Sequence, residues 1–175
     1  MLQAREQLSD DHHAVSEVLK QLLAALDNKD VQTSYSKLDL LWARLAVHIR
    51  AEHLHLFPAV ANQLDGEAQA IVESLRTDHN FFMRELARTI GILHELRLQQ
   101  IITASDATKL AIVSEAVREV EKRLATHNEI EESQIYRWSS IMLSEQEQSD
   151  LLARISTELE NRPPRFSPEA WANCG

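Results

Sequence analysis

Apolar residues recur along this chain three and four positions apart, the spacing of one face of an α-helix. In the first such segment Val15, Leu19, Leu22 and Leu26 share a face behind Ser9, a potential N-cap, and the pattern breaks at DNKD, 27–30. A second segment starts around Thr33 or Ser34 and carries Leu38, Leu41, Leu45 and Leu56. It ends near LDG, 64–66, where Gly66 suits a left-handed turn. The third carries Val72, Leu75, Phe82, Leu86, Ile90 and Leu93 and stops at TASD, 103–106, with Ser105 as a cap for the next helix. The fourth carries Val113, Val117, Val120, Leu124 and Trp138. A shorter fifth helix is expected where SEQEQ, 144–148, fits a capping box ahead of Leu151, Leu152, Ile155 and Leu159.

Long amphipathic helices joined by short turns predict an all-α protein. The expected architecture is an antiparallel up-down-up-down four-helix bundle, with the fifth helix covering one side or end. Residues 1–162 are expected to form this domain and 163–175 an irregular tail. Composition agrees: three glycines and four prolines in 175 residues leave little material for anything but helices and turns.

A formal charge of −9 argues against a nucleic-acid surface, which needs a basic stripe. No apolar run approaches the roughly 20 residues that cross a bilayer. The opening MLQAREQLSDDHH lacks the apolar core of a signal peptide, so the expected compartment is the cytoplasm. One cysteine, Cys174, excludes an internal disulfide framework and a thiolate metal cage.

Each long helix has polar residues on its apolar stripe: His12 on the first, His48 and Glu52 on the second, His79 on the third, His127 and Glu131 on the fourth. A residue and its i+4 partner project from one side of a helix, so each His-x-x-x-Glu points an imidazole and a carboxylate inward. In an antiparallel hairpin, residues at one height are equidistant from the turn. The midpoint of 12 and 48 is 30, inside DNKD; that of 52 and 79 is 65.5, inside LDG; that of 79 and 127 is 103, at the start of TASD. Four histidines and two glutamates are thus expected to meet in one layer.

Six ionisable groups in a core layer must be paired or bound to something. Neutral imidazoles and carboxylates suit first-row transition metals, and two carboxylates can bridge two divalent ions. The absence of thiolates favours iron or manganese over structural zinc. A repeat reinforces the pattern: His48 to Phe57 aligns with His127 to Tyr136 at an offset of 79.

These residues resemble the hemerythrin-like, or HHE cation-binding, proteins. The resemblance lies in DH at 11–12, HIRAE at 48–52 running into LFP, DH at 78–79, HNEIE at 127–131 running into IYRW, and LSEQEQSDLLARI at 143–155. It implies a bundle holding two iron ions as an oxygen-bridged di-iron centre, with manganese or zinc as alternatives. His12, His48, His79 and His127 would be terminal ligands, and Glu52 and Glu131 bridging ones. Oxygen-carrying members have a second histidine where Met83 stands here, and an aspartate five residues after the histidine where this chain has Glu131 at four. The pattern is closer to the four-His, two-Glu branch, which includes iron–sulfur repair proteins.

The leading functional expectation is a protein that binds or senses dioxygen or nitric oxide, with a site left open at Met83. The alternatives are a di-iron peroxidase or oxidase acting on peroxide, and an iron donor in iron–sulfur centre repair or iron handling. Phe57, Phe82, Met83 and Tyr136 are expected to pack around the layer. His13 and His53 are expected to be exposed, with a place at a site entrance as the alternative, and Glu132 to be surface charge, with a hydrogen bond to a ligand as the alternative. His55, two turns beyond His48 on the same stripe, is expected at the solvated end of the bundle, with a place behind the ligands or in a channel as the alternative, and His94 is too far along its helix to join the site. Cys174 is expected to be incidental.

Overall fold

The computed structural model describes residues 4–61, 66–99 and 104–172. Its elements are α1 (Ala4–Asp27), α2 (Val31–Ala51), α3 (Phe57–Ala61), α4 (Gly66–Arg97), α5 (Ala104–Ile130), α6 (Tyr136–Met142), α7 (Glu145–Leu159) and α8 (Pro168–Ala172), and no strand occurs among the described residues. Among the described residues no helix is long and apolar enough to cross a membrane. Each of α1, α2, α4 and α5 packs on two of the others, in the order α1–α2–α4–α5–α1, so the four enclose a common core. The fifth expected helix is α7, which lies against α1 and α2. Its Ser144 side chain accepts from the Glu147 backbone while Glu147 reaches back to Ser144, the capping box read from SEQEQ.

Helix boundaries differ from the periodicity in three places. Ser9 is not an N-cap: α1 is already helical at Ala4, because Ala4 and Leu8 bury themselves and extend the helix by more than a turn. The α1–α2 connection is closed by Lys29, which takes the left-handed conformation at φ 56°, and Asp30 caps α2 by accepting from Thr33 N at 3.0 Å. Gly66 is not a left-handed turn residue but the first residue of α4, and no described glycine has positive φ. Leu64, Asp65, Thr103 and Cys174 lie outside the described residues, while Ser105 falls in the first turn of α5.

The largest departure is within the helices. Between α2 and α3, residues Glu52–Leu56 form a π-helical turn, and between α5 and α6, Glu131–Ile135 form another. The Phe57 N–H bonds to the Glu52 carbonyl and the Tyr136 N–H to the Glu131 carbonyl, five residues back in each case. Each rod therefore continues through a widened turn that opens at a glutamate. In a regular α-helix the fifth residue on is rotated by roughly 140° from the first. Closing an i→i+5 bond brings Phe57 and Tyr136 back over Glu52 and Glu131.

Two apolar clusters fill the interior. One contains Val15, Leu19, Leu45, Phe82 and Leu124; the other contains Leu8, Leu56, Leu75, Ile135 and Tyr136. The six polar positions fall between them in sequence on every helix: Leu8–His12–Val15, Leu45–His48–Glu52–Leu56, Leu75–His79–Phe82 and Leu124–His127–Glu131–Ile135. The tail, expected to be irregular, carries the short helix α8 and packs back on the bundle. Phe166 and Trp171 lie against the first cluster, and Arg165 forms a bidentate pair with Asp39 at 2.9 and 3.0 Å.

Candidate metal centre

All six polar positions are buried, with Glu52 and Glu131 at 0 % exposure. They converge as two groups. In the first, His12 Nε2 faces His48 Nε2 at 3.1 Å and Glu131 Oε2 at 3.3 Å, while His48 Nε2 faces Glu52 Oε1 at 3.4 Å. In the second, Glu131 Oε1 faces His127 Nε2 at 3.0 Å and His79 Nε2 at 3.5 Å, and Glu52 Oε2 lies 3.4 Å from His79 Nε2. Each glutamate thus directs one oxygen to each group.

These separations can be tested against a metal. Atoms bound at about 2.1 Å to one ion lie about 3.0 Å apart at right angles and about 3.4 Å apart at tetrahedral angles. The distances within both groups match that range. Glu52 Oε2 and both oxygens of Glu131 are buried with no partner in hydrogen-bond geometry. Orphaned carboxylate oxygens at 0 % exposure are costly unless a cation satisfies them. The donor set therefore fits a pair of divalent ions, and His12, His48, Glu52 and Glu131 on one side with His79, His127 and Glu131 on the other could hold them.

The outer nitrogens are occupied as well. His48 Nδ1 donates to Asp11 Oδ2 at 2.9 Å, His127 Nδ1 to Asp78 Oδ2 at 3.3 Å, and His12 Nδ1 to Glu132 Oε1 at 2.9 Å. A carboxylate only accepts, so each of these rings keeps its Nε2 lone pair for the centre. The aspartates are held in turn by arginines, Asp11 by Arg44 and Asp78 by Arg123. His79 differs: its Nδ1 meets His53 Nε2 at 2.9 Å.

Electrostatics follow from this crowding. Burial alone would keep His48 neutral, yet the Glu52 carboxylate and the Asp11 hydrogen bond raise its pKa well above the ordinary value. His127, likewise buried, is raised by Glu131 and Asp78. Glu131 is held well below the usual carboxylate range against its own burial, chiefly by His127 with His12 and His79. Asp11 is lowered despite burial by His48 and Arg44. His53 is pushed down to about 4 by burial and by His79 and Arg76. Tyr136 is raised well above 10 by burial and by Glu52 and Glu131, so its phenol stays protonated.

Several outer residues differ from the sequence expectation. His53 is half-buried against His79 and Phe57 rather than exposed, whereas Glu132 is exposed as expected and hydrogen-bonds His12, one of the six positions. Asp11 and Asp78 were legible only as the D of each DH pair, since their partners lie on other helices. Tyr136 donates to Glu52 Oε1 at 2.9 Å, Phe57 stacks on His79, and Phe82 meets His127 edge-on. Met83 is partly buried against the first cluster. His13 is exposed, bonding Ser9 O; His94 meets Tyr35 at a tilt, with ring centroids 5.8 Å apart; His55 is half-buried, 3.9 Å from Glu158 of α7.

An all-helical bundle with a buried His/Glu layer of this geometry defines a metal-binding bundle. The hemerythrin HHE cation binding domain matches residues 3–139, and the chain belongs to that family. No curated protein and no solved structure shows a significant match to it.

Proposed function

We propose that the chain is a non-heme di-iron protein that binds or senses dioxygen or nitric oxide. The observation that carries this reading is the division of Glu52 and Glu131, each with one oxygen toward His12/His48 and the other toward His79/His127. Two carboxylates so placed hold two like-charged ions together and offset part of their charge. His12, His48, His79 and His127 would be the terminal ligands and the two glutamates would be shared between the ions. An iron pair supplies reversible electron exchange with a small ligand; the chain supplies its binding, orientation and dryness.

The space beside the layer favours a very small ligand. A cavity of about 10 Å³ is bounded by His12, His48, His79, His127, Asn128 and Glu131 among others. That is room for about one water-sized molecule. Asn128, with Leu124, also borders a surface recess of about 210 Å³ between α1 and α5. Its Oδ1 is buried without a partner.

A second reading, peroxide turnover, draws on one observation. Tyr136 places a protonated phenol against Glu52 and 3.0 Å from His12 Nε2, where it can give a hydrogen bond or proton to a small oxygen ligand. We extend the reading to the topology. α1 runs from the second apolar cluster to the first, α2 back, α4 forward and α5 back, which supports the antiparallel up-down-up-down order. Residues 1–162 then form the domain, and 163–175 its tail.

The test is anaerobic loading with ferrous iron followed by admission of oxygen or nitric oxide, read by metal analysis and visible absorption. About two irons per chain and a reversible ligand band are expected. Rapid irreversible oxidation with turnover of hydrogen peroxide would move the assignment to the second reading. No iron uptake would overturn both.

A further inference from the structure

The site has an approximate internal two-fold symmetry that the hydrogen bonds share. At an offset of 79, Arg44, His48 and Glu52 correspond to Arg123, His127 and Glu131; at an offset of 67, Asp11 and His12 correspond to Asp78 and His79. The contacts correspond too. Arg44 holds Asp11, which accepts from His48; Arg123 holds Asp78, which accepts from His127.

The symmetry fails around the other two histidines. His12 Nδ1 is backed by the Glu132 carboxylate, which also accepts from Ser9 Oγ at 3.1 Å. The equivalents of Glu132 and Ser9 are His53 and Arg76. So His79 Nδ1 is backed by a neutral imidazole, with the Arg76 guanidinium beside it over the Phe57 ring at 5.3 Å. One half of the centre has two carboxylates behind its imidazoles, Asp11 and Glu132. The other has one carboxylate, Asp78, and a nearby cation.

We infer that the two metal positions are unequal: the ion at His79/His127 is bound more weakly than the ion at His12/His48, and His53 sets the difference. The inference rests on the metal-centre reading above. A carboxylate behind a ligating imidazole makes the ring more basic and adds a negative charge near the ion, and losing such a partner costs about 10–100-fold in affinity. His53 offers its ring nitrogen as an acceptor and fixes the orientation of His79, but brings no charge. Arg76 works against a cation on the same side. At limiting metal the chain holds a single ion at His12/His48, and the second position exchanges.

The test is an equilibrium titration of the full metal-free chain with cobalt(II) under argon, against a competing chelator, following the cobalt absorption bands. Native chain is expected to fill in two steps separated by about tenfold or more. His53→Glu restores the missing carboxylate and is expected to tighten the second step by about 10–100-fold, closing the gap. Glu132→His is expected to weaken the first step instead. Arg76→Ser, which leaves all six proposed ligands in place, provides a milder shift of the second step in the same direction as His53→Glu should that variant lose its helical circular dichroism. Two equal sites in the native chain would overturn the inference while leaving the metal centre intact. An unchanged gap in folded His53→Glu, or in folded Arg76→Ser if only that variant folds, would do the same. Failure to bind cobalt at all would overturn the metal-centre reading, and this inference with it.

Discussion

Tyr136 donates a 2.9 Å hydrogen bond to Glu52 across the bundle, although the two residues are 84 positions apart and belong to opposite halves of the repeat. The equivalent of Tyr136 is Phe57, which has no hydroxyl and stacks on His79 instead. One carboxylate of the layer is therefore anchored by a phenol, and the other is not. Tyr136→Phe removes that anchor and leaves Glu52 Oε1 without its phenolic donor. A buried acceptor losing its donor costs about 1–3 kcal/mol. Urea denaturation of the metal-free variant is expected to show a loss of this size, and two-ion loading is expected to persist. An unchanged midpoint would mean that the hydrogen bond contributes nothing.

Asp11 and Asp78 act through the imidazoles they hold. Asp11→Asn and Asp78→Asn each keep the shape but remove the charge that keeps His48 and His127 oriented and basic. Each is expected to weaken metal binding by about 10–100-fold. The check is the ion content retained against a graded series of chelators. If Asp11→Asn affects both ions alike, the two groups are less independent than their geometry implies.

The charge pattern sets the pH response of the metal-free chain. His48 and His127 have raised pKa values, so the stability they contribute is present in full below about 6.5 and is lost as pH rises through their folded values. Asp11 and Glu131 are lowered, so their contribution is present above about 4.5 and is lost as pH falls through their folded values. His53 opposes the other two histidines: neutral when folded, it costs stability as pH falls from 6.5 to about 4. Two raised histidines outweigh one lowered, so maximum stability is expected between about pH 4.5 and 6.5. Metal binding displaces the same protons, so stabilisation by metal should grow above that window. Urea midpoints from pH 3 to 9, with chelator and with metal, measure both trends. A metal-free optimum at pH 8 would contradict the assignment.

Asn128 borders both the surface recess and the cavity at the layer, and any passage between the two would run past it. Asn128→Leu fills that passage with an apolar side chain while leaving all six proposed ligands in place. Stopped-flow binding of nitric oxide to the iron-loaded variant is expected to slow, with metal content unchanged. A native association rate would place the route elsewhere.

Lys29 holds a left-handed conformation after α1. That conformation costs a residue with a Cβ roughly 1–2 kcal/mol and glycine little. Lys29→Gly is expected to raise stability by about 1 kcal/mol, partly offset by the greater freedom of glycine in the unfolded chain. Thermal unfolding measures it, and a lower midpoint would show that the Lys29 side chain contributes more than its backbone costs.

Periodicity alone determined which side chains point inward. His12, His48, Glu52, His79, His127 and Glu131 interrupt apolar stripes at heights that the turns bring level, and the structure buries all six between its two apolar clusters. The cap at Ser144 was equally legible, because both of its partners lie within four residues. The partners that each buried group meets across the bundle were not legible. Asp11 finds His48 and Glu132 finds His12 only once the helices are side by side, since such contacts depend on interhelical distance and rotation. The π turns were hidden for a related reason. Phe57 and Tyr136 were expected around the layer, but the widened turns that carry them there were not, because a 3.6-residue period has no place for the extra residue. Local propensity does not favour such a turn; the packing of a glutamate and an aromatic ring into one crowded layer does.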